Sequence, residues 1–386
     1  MPDKKDKHVL TDGSMIIIEA LVSSGAEVFI GYPITPANLL YAYASQRFPI
    51  FLPASDEITA LQWVSGFSAT GKFAVTATSF PGFALMIETI NMAVMMELPM
   101  VIVIAQRLGP STGSATANAQ GDLFLLRGCV SGGYQVPVFC PSDFIDCWDL
   151  SYKALSTAVE LRTPVILLTS KETVMTNQSV NLSQFRSITP VKKIFYSKKS
   201  TYIPYHADNE HSGVPPFLPL GNNNHQVRIN ASTHDSYGFI KKATPEAMAN
   251  TKRLREKIES HFSKQEITAS GSEDTIYHLD NEEGSGTIVV TYGITSNAAR
   301  EAVKILRADG CKVSLFIIKA LLPVSPLIME IINRYRNIIF VEENLPGMLQ
   351  EILFGQTKNK FHRSVNKIGE MISPTEIING VRQNNG

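Results

Sequence analysis

Short apolar runs alternate along residues 1–180 with longer segments in which apolar positions recur at helical spacing. The apolar runs predict buried strands at 27–32, 73–78, 100–105, 135–139 and 164–169. The segments between them predict helices at 16–22, 37–47, 56–69, 83–96 and 142–159. Strands that alternate with helices of about 10–15 residues are typical of a parallel sheet covered by helices on both faces.

The pattern changes after residue 180 and returns near residue 284. Residues 201–226 are rich in Pro, Asn and His, which indicates a linker, and a polar helix is predicted at 244–261. Further strands are predicted at 286–292, 312–318, 338–342 and 365–368, with a helix at 296–308. We therefore expect α/β domains at 1–180 and 276–386, joined by an irregular connector with a polar helix at 181–275.

Composition and charge exclude several classes of protein. The 386 residues are 44% hydrophobic and 18% charged, which is ordinary for a globular protein. Lys+Arg and Asp+Glu both number 35, and this balance argues against a nucleic-acid-binding protein. The most apolar stretch, 82–105, contains Glu88, Asn91, Glu97 and Pro99, so no membrane span is expected. The charged N-terminus lacks the apolar core of a signal peptide, which favours a cytoplasmic location.

Cysteine and histidine spacing gives no sign of a metal or cluster site. Cys129, Cys140, Cys147 and Cys311 form no Cys-x-x-Cys pair, so they are predicted to be buried free thiols. The histidines in or near the connector lack ligand spacing and are predicted to lie on the surface. They are His206, His211, His225 and His234. An electron carrier, if the protein needs one, would lie on another chain.

The segment 31–36 follows a predicted strand and precedes a helix, where open α/β sheets bind their ligands. Pro33 and Pro36 restrict the backbone, so Thr35 presents its hydroxyl near a helix N-terminus, which favours anions. Alternatively, Thr35 is only a helix cap.

Glu57 begins the next predicted helix. An acidic side chain there stabilises the helix dipole, or it points into a cleft and hydrogen-bonds a ligand nitrogen.

Arg107 ends a strongly apolar strand, and its planar fork suits a carboxylate. It could equally pair with a neighbouring acid of the fold. The loop 111–121 that follows is long and has no bulky apolar residue, so it is expected to serve function rather than the core. Its hydroxyls at Ser111, Thr112 and Ser114 are candidate substrate donors.

Taken together, these segments resemble the alpha subunits of 2-oxoacid:ferredoxin oxidoreductases, especially the 2-oxoglutarate type. The matching segments are 31–36, 56–58, 76–79, 81–83, 106–107, 109–113, 120–122, 216–219, 232–235, 291–293 and 341–344. The resemblance covers nearly the whole chain. It implies an α/β fold with a thiamine-diphosphate-enzyme pyrimidine-binding domain followed by a transketolase-C-terminal-like domain.

The resemblance also implies an activity and residue roles. A 2-oxoacid, coenzyme A and oxidised ferredoxin would give acyl-CoA, carbon dioxide and reduced ferredoxin, or the reverse. Glu57 corresponds to the glutamate that hydrogen-bonds the aminopyrimidine ring of thiamine diphosphate, with Pro33, Ile34 and Thr35 in the cofactor-binding segment. Thr35 and Arg107 correspond to residues near the substrate carboxylate.

The sequence has no Gly-Asp-Gly motif followed about 25 residues later by Asn-Asn, the pattern the resemblance leads us to expect for magnesium and the cofactor diphosphate. A beta subunit is therefore expected to supply the diphosphate site, magnesium and an iron–sulfur cluster. Residues 79–81 replace a glycine-containing turn that is usual in relatives. This difference lies on the substrate side of the site, so the resemblance does not identify which 2-oxoacid is the substrate. Alternatives are a pyruvate or branched-chain 2-oxoacid oxidoreductase subunit, a transketolase-like enzyme and a non-catalytic assembly subunit.

Overall fold

The computed structural model describes residues 8–207, 212–264, 276–356 and 361–383. The strands are β1 (His8–Thr11), β2 (Val28–Gly31), β3 (Ile50–Pro53), β4 (Ala74–Thr78), β5 (Met100–Gln106), β6 (Val138–Phe139), β7 (Pro164–Ser170), β8 (Gln178–Asn181), β9 (Tyr277–Asp280), β10 (Thr287–Tyr292), β11 (Ser314–Ile318), β12 (Ala320–Leu322), β13 (Asn337–Glu342) and β14 (His362–Asn366). The helices are α1 (Gly13–Ser23), α2 (Asn38–Arg47), α3 (Glu57–Ala69), α4 (Phe80–Met96), α5 (Leu123–Gly128), α6 (Phe144–Leu161), α7 (Lys171–Met175), α8 (Pro245–Ser263), α9 (Thr295–Ala308), α10 (Pro326–Ile332), α11 (Met348–Phe354) and α12 (Pro374–Arg382).

Seven strands form the main sheet, in the order β12-β6-β7-β5-β4-β2-β3. All neighbouring strands in it are parallel except β12, which runs antiparallel to β6. Every residue of β4, β5 and β7 is buried, as expected when helices cover both faces. The predicted α/β fold is thus confirmed, and the carboxyl ends of β2, β4 and β5 lie together at one edge.

The second sheet has the order β14-β13-β10-β11-β9, with β9 antiparallel to β11. Its β10, β11 and β13 pair in parallel, and α9 packs against α12 beside it. The chain leaves β11 and returns to the main sheet through β12 before it resumes the second sheet at β13. The domain limits expected at 180 and 276 stay a proposal.

Buried ion pairs and hydrogen bonds connect the irregular connector and α8 to the main-sheet domain. Glu97, at the end of α4, forms ion pairs with Arg253 and with Lys257, whose Nζ lies 2.8 Å from its carboxylate. Arg162 adds hydrogen bonds to the carbonyl groups of Pro215 and Pro216, at 3.1 and 2.9 Å. The polar helix predicted at 244–261 is present as α8, and part of its polar face is buried in this network.

Two predicted strands and one histidine differ from expectation. The strand predicted at 135–139 is reduced to β6, because Pro137 precedes its two pairing residues. The strand predicted at 365–368 begins three residues earlier, as β14. It is an edge strand with exposed residues, so its sequence lacks a clear apolar pattern. His234 is fully buried and not on the surface: its Nδ1 lies 2.7 Å from the carbonyl of Ser232 and its Nε2 lies 3.0 Å from Asn250. His211 lies outside the described residues.

All four cysteines are free, as predicted, and the predicted burial is confirmed for Cys129, Cys140 and Cys147 but wrong for Cys311, which is half-buried. Burial raises the pKa of the Cys129 thiol to about 12, so it stays protonated near neutral pH. No helix in the described ranges is long and apolar enough to cross a membrane.

Candidate active site

The three candidate side chains lie after different strands of the main sheet. Thr35 follows β2, Glu57 begins α3 after β3, and Arg107 follows β5 directly. Because β2, β3, β4 and β5 are parallel, their carboxyl ends meet at one edge, the position at which open α/β sheets bind ligands.

Arg107 and Thr35 are in direct contact. Nη1 of Arg107 donates a hydrogen bond to the backbone carbonyl of Thr35 at 2.5 Å. The Thr35–Pro36 peptide bond is cis. α2 begins only at Asn38, with Ala37 as its N-cap. Thr35 is therefore not the helix cap, and that alternative is wrong. Pro33 is exposed, and Ile34 and Thr35 are half-buried.

Arg107 has an acidic neighbour in Asp122. Arg107 is 6% exposed and Asp122 4% exposed. Burial lowers the pKa of Arg107, and the charge of Asp122 opposes that shift. Burial raises the pKa of Asp122 to about 7, against the attraction of Arg107. Yet Nε of Arg107 and Oδ2 of Asp122 are buried without a hydrogen-bond partner among the described residues. Asp122 is thus the neighbouring acid that the alternative interpretation of Arg107 called for. Nε of Arg107 and Oδ2 of Asp122 nevertheless form no hydrogen bond with each other or with other described residues.

Glu57 is not needed to cap its helix. Asp56 is the N-cap of α3, and its side chain accepts a hydrogen bond from the Thr59 N–H at 2.7 Å. Glu57 is 6% exposed. Helix-dipole stabilisation alone does not require such burial, since a carboxylate that is removed from water needs compensating partners.

Gly82 allows Glu57 to approach the first turn of α4. A Cβ atom on Gly82 would lie 2.6 Å from Oε1 of Glu57 and 2.1 Å from Oγ1 of Thr78. Any side chain at position 82 would therefore displace both of these groups. The hydroxyls of Thr76 and Ser79 nearby in the sequence are buried without a hydrogen-bond partner in the described chain. This end of β4 thus combines a buried carboxylate, which accepts hydrogen bonds, with unpaired hydroxyls, and these groups fit a nitrogen-bearing heterocycle.

The candidate substrate loop closes on itself directly after Arg107. The Ser114 N–H donates to the carbonyl of Leu108 at 2.9 Å, and Leu108 N–H donates to the carbonyl of Ala117 at 2.9 Å. Gly113 has a φ of 46°, and a Cβ there would lie 1.7 Å from the Leu108 carbonyl oxygen. Ser111, Thr112 and Ser114 are exposed on this loop. Their hydroxyls therefore face solvent and contribute nothing to the core.

Residues 118–120, at the end of the loop 111–121, have a larger structural role than the sequence predicted. Asn118 and Gln120 are buried and join the main sheet to the second sheet. Gln120 Nε2 donates to the Tyr292 carbonyl at 3.0 Å, and its Oε1 accepts from the Glu343 N–H at 2.9 Å. Asn118 donates to the Glu343 carboxylate. The expectation that residues 111–121 have little core role is wrong for this part.

No group of three or more His, Cys, Asp or Glu side chains in the described ranges is arranged to hold a metal ion. The buried carboxylate of Glu57 fits the pyrimidine ring of thiamine diphosphate, because a carboxylate can accept a hydrogen bond from a protonated ring nitrogen.

Comparison with known proteins shows to which family the chain belongs. The family described as "Pyruvate flavodoxin/ferredoxin oxidoreductase, thiamine diP-bdg" matches residues 19–253. The 2-oxoglutarate synthase subunit KorA of Methanothermobacter marburgensis is 30% identical over 93% of this chain and 94% of its own. The protein of the same name from Methanocaldococcus jannaschii is 30% identical over 96% of this chain and 98% of its own.

Solved structures also resemble this chain. A 2-oxoglutarate:ferredoxin oxidoreductase from Magnetococcus marinus, solved with 2-oxoglutarate, coenzyme A and succinyl-CoA bound, has a TM-score of 0.89 and 27% identity. The match covers 100% of this chain and 66% of that longer one. A split-gene transketolase in an inactive tetramer has a TM-score of 0.53 at 14% identity, which shows a shared fold alone. The chain therefore belongs to the thiamine-diphosphate-binding family of pyruvate flavodoxin/ferredoxin oxidoreductases and is similar to the 2-oxoglutarate synthase subunits of that family.

Proposed function

We propose that this chain is the alpha subunit of a 2-oxoglutarate:ferredoxin oxidoreductase, which oxidises a 2-oxoacid to acyl-CoA and carbon dioxide and reduces ferredoxin, or runs in reverse. The observation that carries this proposal is the placement of Glu57, Thr35 and Arg107 at one edge of the main sheet. The proposal is also supported by the relatives named 2-oxoglutarate synthase subunit KorA, which this chain matches over nearly their whole length.

Glu57 has the role of a hydrogen-bond acceptor for the cofactor ring. Thiamine diphosphate, when bound, supplies a nucleophilic carbon and an electron sink for the decarboxylation. A carboxylate at the ring nitrogen favours the ring tautomer that can move a proton, and positioned proton transfer of this kind contributes on the order of 100- to 10,000-fold. The glycine at position 82 lets this carboxylate sit against α4.

Arg107 and Thr35 hold the 1-carboxylate that all 2-oxoacids share. The bond from Nη1 to the Thr35 carbonyl fixes the plane of the guanidinium. Nε stays buried and unpaired among the described residues, ready to donate to a carboxylate oxygen. The exposed hydroxyls of Ser111, Thr112 and Ser114 are proposed to contact the remainder of the substrate.

The partner is a beta subunit that supplies the diphosphate site, magnesium and an iron–sulfur cluster, and ferredoxin accepts the electrons in the cytoplasm. This part of the proposal is supported by the absence of a Gly-Asp-Gly…Asn-Asn motif from the sequence. The catalytic centre would then lie between the two subunits.

The test is co-purification with the partner from native cells, followed by assay of 2-oxoglutarate, pyruvate and 2-oxoisovalerate with coenzyme A and a low-potential acceptor. We expect the highest kcat/KM for 2-oxoglutarate. Preference for one of the other oxoacids would change the substrate assignment. Activity that survives both Glu57→Ala and Arg107→Lys in the complex would assign catalysis to another chain and make this one an assembly subunit.

A further inference from the structure

Asp122 is a buried carboxylate that the reaction as proposed does not use. It lies at the N-cap position of α5, but its side chain makes no capping hydrogen bond. Its Oδ2 has no hydrogen-bond partner in the part of the chain that the structure describes. Burial of a carboxylate oxygen without a hydrogen-bond partner is costly, and the side chain does not cap the helix, so a capping role does not account for this residue.

The electrostatic partner of Asp122 is Arg107. The attraction between them opposes the effect of burial on both groups. Nε of Arg107 is also buried without a partner among the described residues, so each side chain retains an unused hydrogen-bonding atom. The pair therefore carries compensating charges but has not closed into a hydrogen-bonded salt bridge through these atoms.

We propose that Asp122 positions Arg107 as its counter-ion before substrate binds, and that Asp122 takes up one proton from solvent when the 1-carboxylate of a 2-oxoacid reaches Arg107. This inference rests on the proposed role of Arg107 in carboxylate binding. The proton is added to Asp122, no bond in the substrate breaks, and release of the carboxylate returns the proton to solvent.

The physical reason is that one guanidinium cannot compensate two carboxylates in a site of low dielectric constant. The pKa of Asp122 is about 7 while Arg107 attracts its charge. A substrate carboxylate cancels that attraction and adds repulsion, so the pKa of Asp122 rises further. Near and above pH 7 the carboxylate of Asp122 must then gain a proton for the substrate to bind.

Other titratable groups lie on the elements around Asp122. They include Tyr292 in β10, Glu342 at the end of β13 with Glu343 directly after it, Arg127 in α5 with Cys129 at its C-terminus, and Glu351 in α11. The pKa of Tyr292 is raised well above its usual value, first by burial and in part by Asp122, so it stays neutral. Burial raises the pKa of Glu343 to about 7, the same range as Asp122. The experiment must therefore distinguish protonation of Asp122 from protonation of Glu343.

The test measures the inhibition constant of glutarate, which has no oxo group to react, on the assembled enzyme between about pH 6 and 9. For the wild type we expect the constant to rise by up to about tenfold per pH unit above pH 7. Asp122→Asn should bind glutarate more tightly at high pH and remove the slope, whereas Asp122→Glu and Glu343→Gln should retain it. Calorimetry in two buffers of different ionisation heat should show uptake of up to one proton in the wild type and none in Asp122→Asn.

Three results would overturn the proposal. They are a flat pH profile in the wild type, a slope that persists in Asp122→Asn, and a lower Tm of Asp122→Asn with unchanged proton uptake, which would leave a structural role only. The role of Arg107 is tested separately with Arg107→Lys. Unchanged glutarate affinity in that variant would overturn the carboxylate assignment together with this inference. Weakened affinity with a slope retained in Asp122→Asn would overturn the inference alone.

Discussion

Nη1 of Arg107 donates a hydrogen bond to the backbone carbonyl of Thr35, and this bond connects two segments whose strands are not neighbours. Arg107 follows β5 and Thr35 follows β2, and β4 lies between those strands in the sheet. The bond therefore spans the end of β4. It fixes the guanidinium above the sheet edge on which Glu57 also lies.

Arg107→Lys should reduce kcat/KM by at least about 2 kcal/mol, the scale of one charge-assisted hydrogen bond, because lysine cannot donate from a planar fork. The loss should be similar for 2-oxoglutarate, pyruvate and 2-oxoisovalerate, which share the 1-carboxylate. Arg334→Lys, in an exposed ion pair with Glu330, is the matched control. A loss confined to 2-oxoglutarate would move Arg107 to the distal carboxylate.

Glu57→Gln should lower turnover by roughly 100-fold or more, since the amide cannot provide the same acid–base assistance to the ring. Glutamine has nearly the same size, so Tm and assembly with the partner should be unchanged. Steady-state turnover at saturating cofactor gives the answer, with exposed Glu88→Gln as the control. Near-normal turnover would remove Glu57 from the mechanism.

Gly82→Ala should lower turnover and weaken cofactor binding, because the added methyl group would lie 2.6 Å from Oε1 of Glu57. The contact with Oγ1 of Thr78, at 2.1 Å, remains in a Glu57→Ala background, so only the part of the loss that acts through Glu57 should disappear there, and a double-mutant cycle measures that part. Gly66→Ala is the control, because a Cβ there has nothing within 4 Å. Additive losses would mean that Gly82 matters only for packing.

Glu97→Gln should destabilise the folded chain by about 3–5 kcal/mol, because it leaves Lys257 and Arg253 buried without their carboxylate. Denaturant unfolding measures this, and Glu256→Gln in the exposed pair with Lys252 is the control, with an expected change below about 0.5 kcal/mol. Burial opposes ionisation of Glu97, but Lys257 and Arg253 outweigh it and lower its pKa to about 2.

A lowered pKa in the folded state means that Glu97 stabilises the protein above the pKa of an unfolded glutamate, which is 4.5. This stabilisation is lost as the pH falls from there through about 2. The unfolding free energy of the wild type should therefore decline more steeply over that interval than that of Glu97→Gln. Parallel curves for the two proteins would contradict the assigned network.

The purified chain by itself should be colourless and inactive, since its sequence offers no cluster-ligand spacing and no diphosphate motif. Iron content, visible absorbance and turnover should all appear when the partner is added. Stoichiometric iron–sulfur absorbance in the single chain would refute the assignment of the cluster to the partner.

The interior of the fold could be predicted from the sequence, whereas its edges could not. The strands β4, β5 and β7 are apolar along their whole length because both faces are covered, and that signal is visible in the sequence. The strand β3 is only partly buried and ends at Pro53, and β12 has three residues. Short or half-exposed strands carry too little pattern to distinguish them from loops.

The same limit applies to the site. Thr35, Glu57 and Arg107 became candidates because each lies beside an element whose pattern is clear, and the family resemblance implied their roles. Gln120 and Asp122 were not given roles from the residues themselves, because burial of a polar side chain depends on contacts distant in the sequence. The bond between Gln120 and Glu343 joins residues 223 positions apart, which no local pattern reveals.

The return of β12 to the main sheet has a consequence for how the protein is made. While the ribosome is still synthesising the connector, β6 has no neighbour on its outer side, and an open strand edge can pair with other chains. The edge is completed only after residue 322 has left the exit tunnel. Nascent chains stalled before that point should therefore depend on chaperones, and fragments cut at the connector should aggregate instead of accumulating as a soluble half.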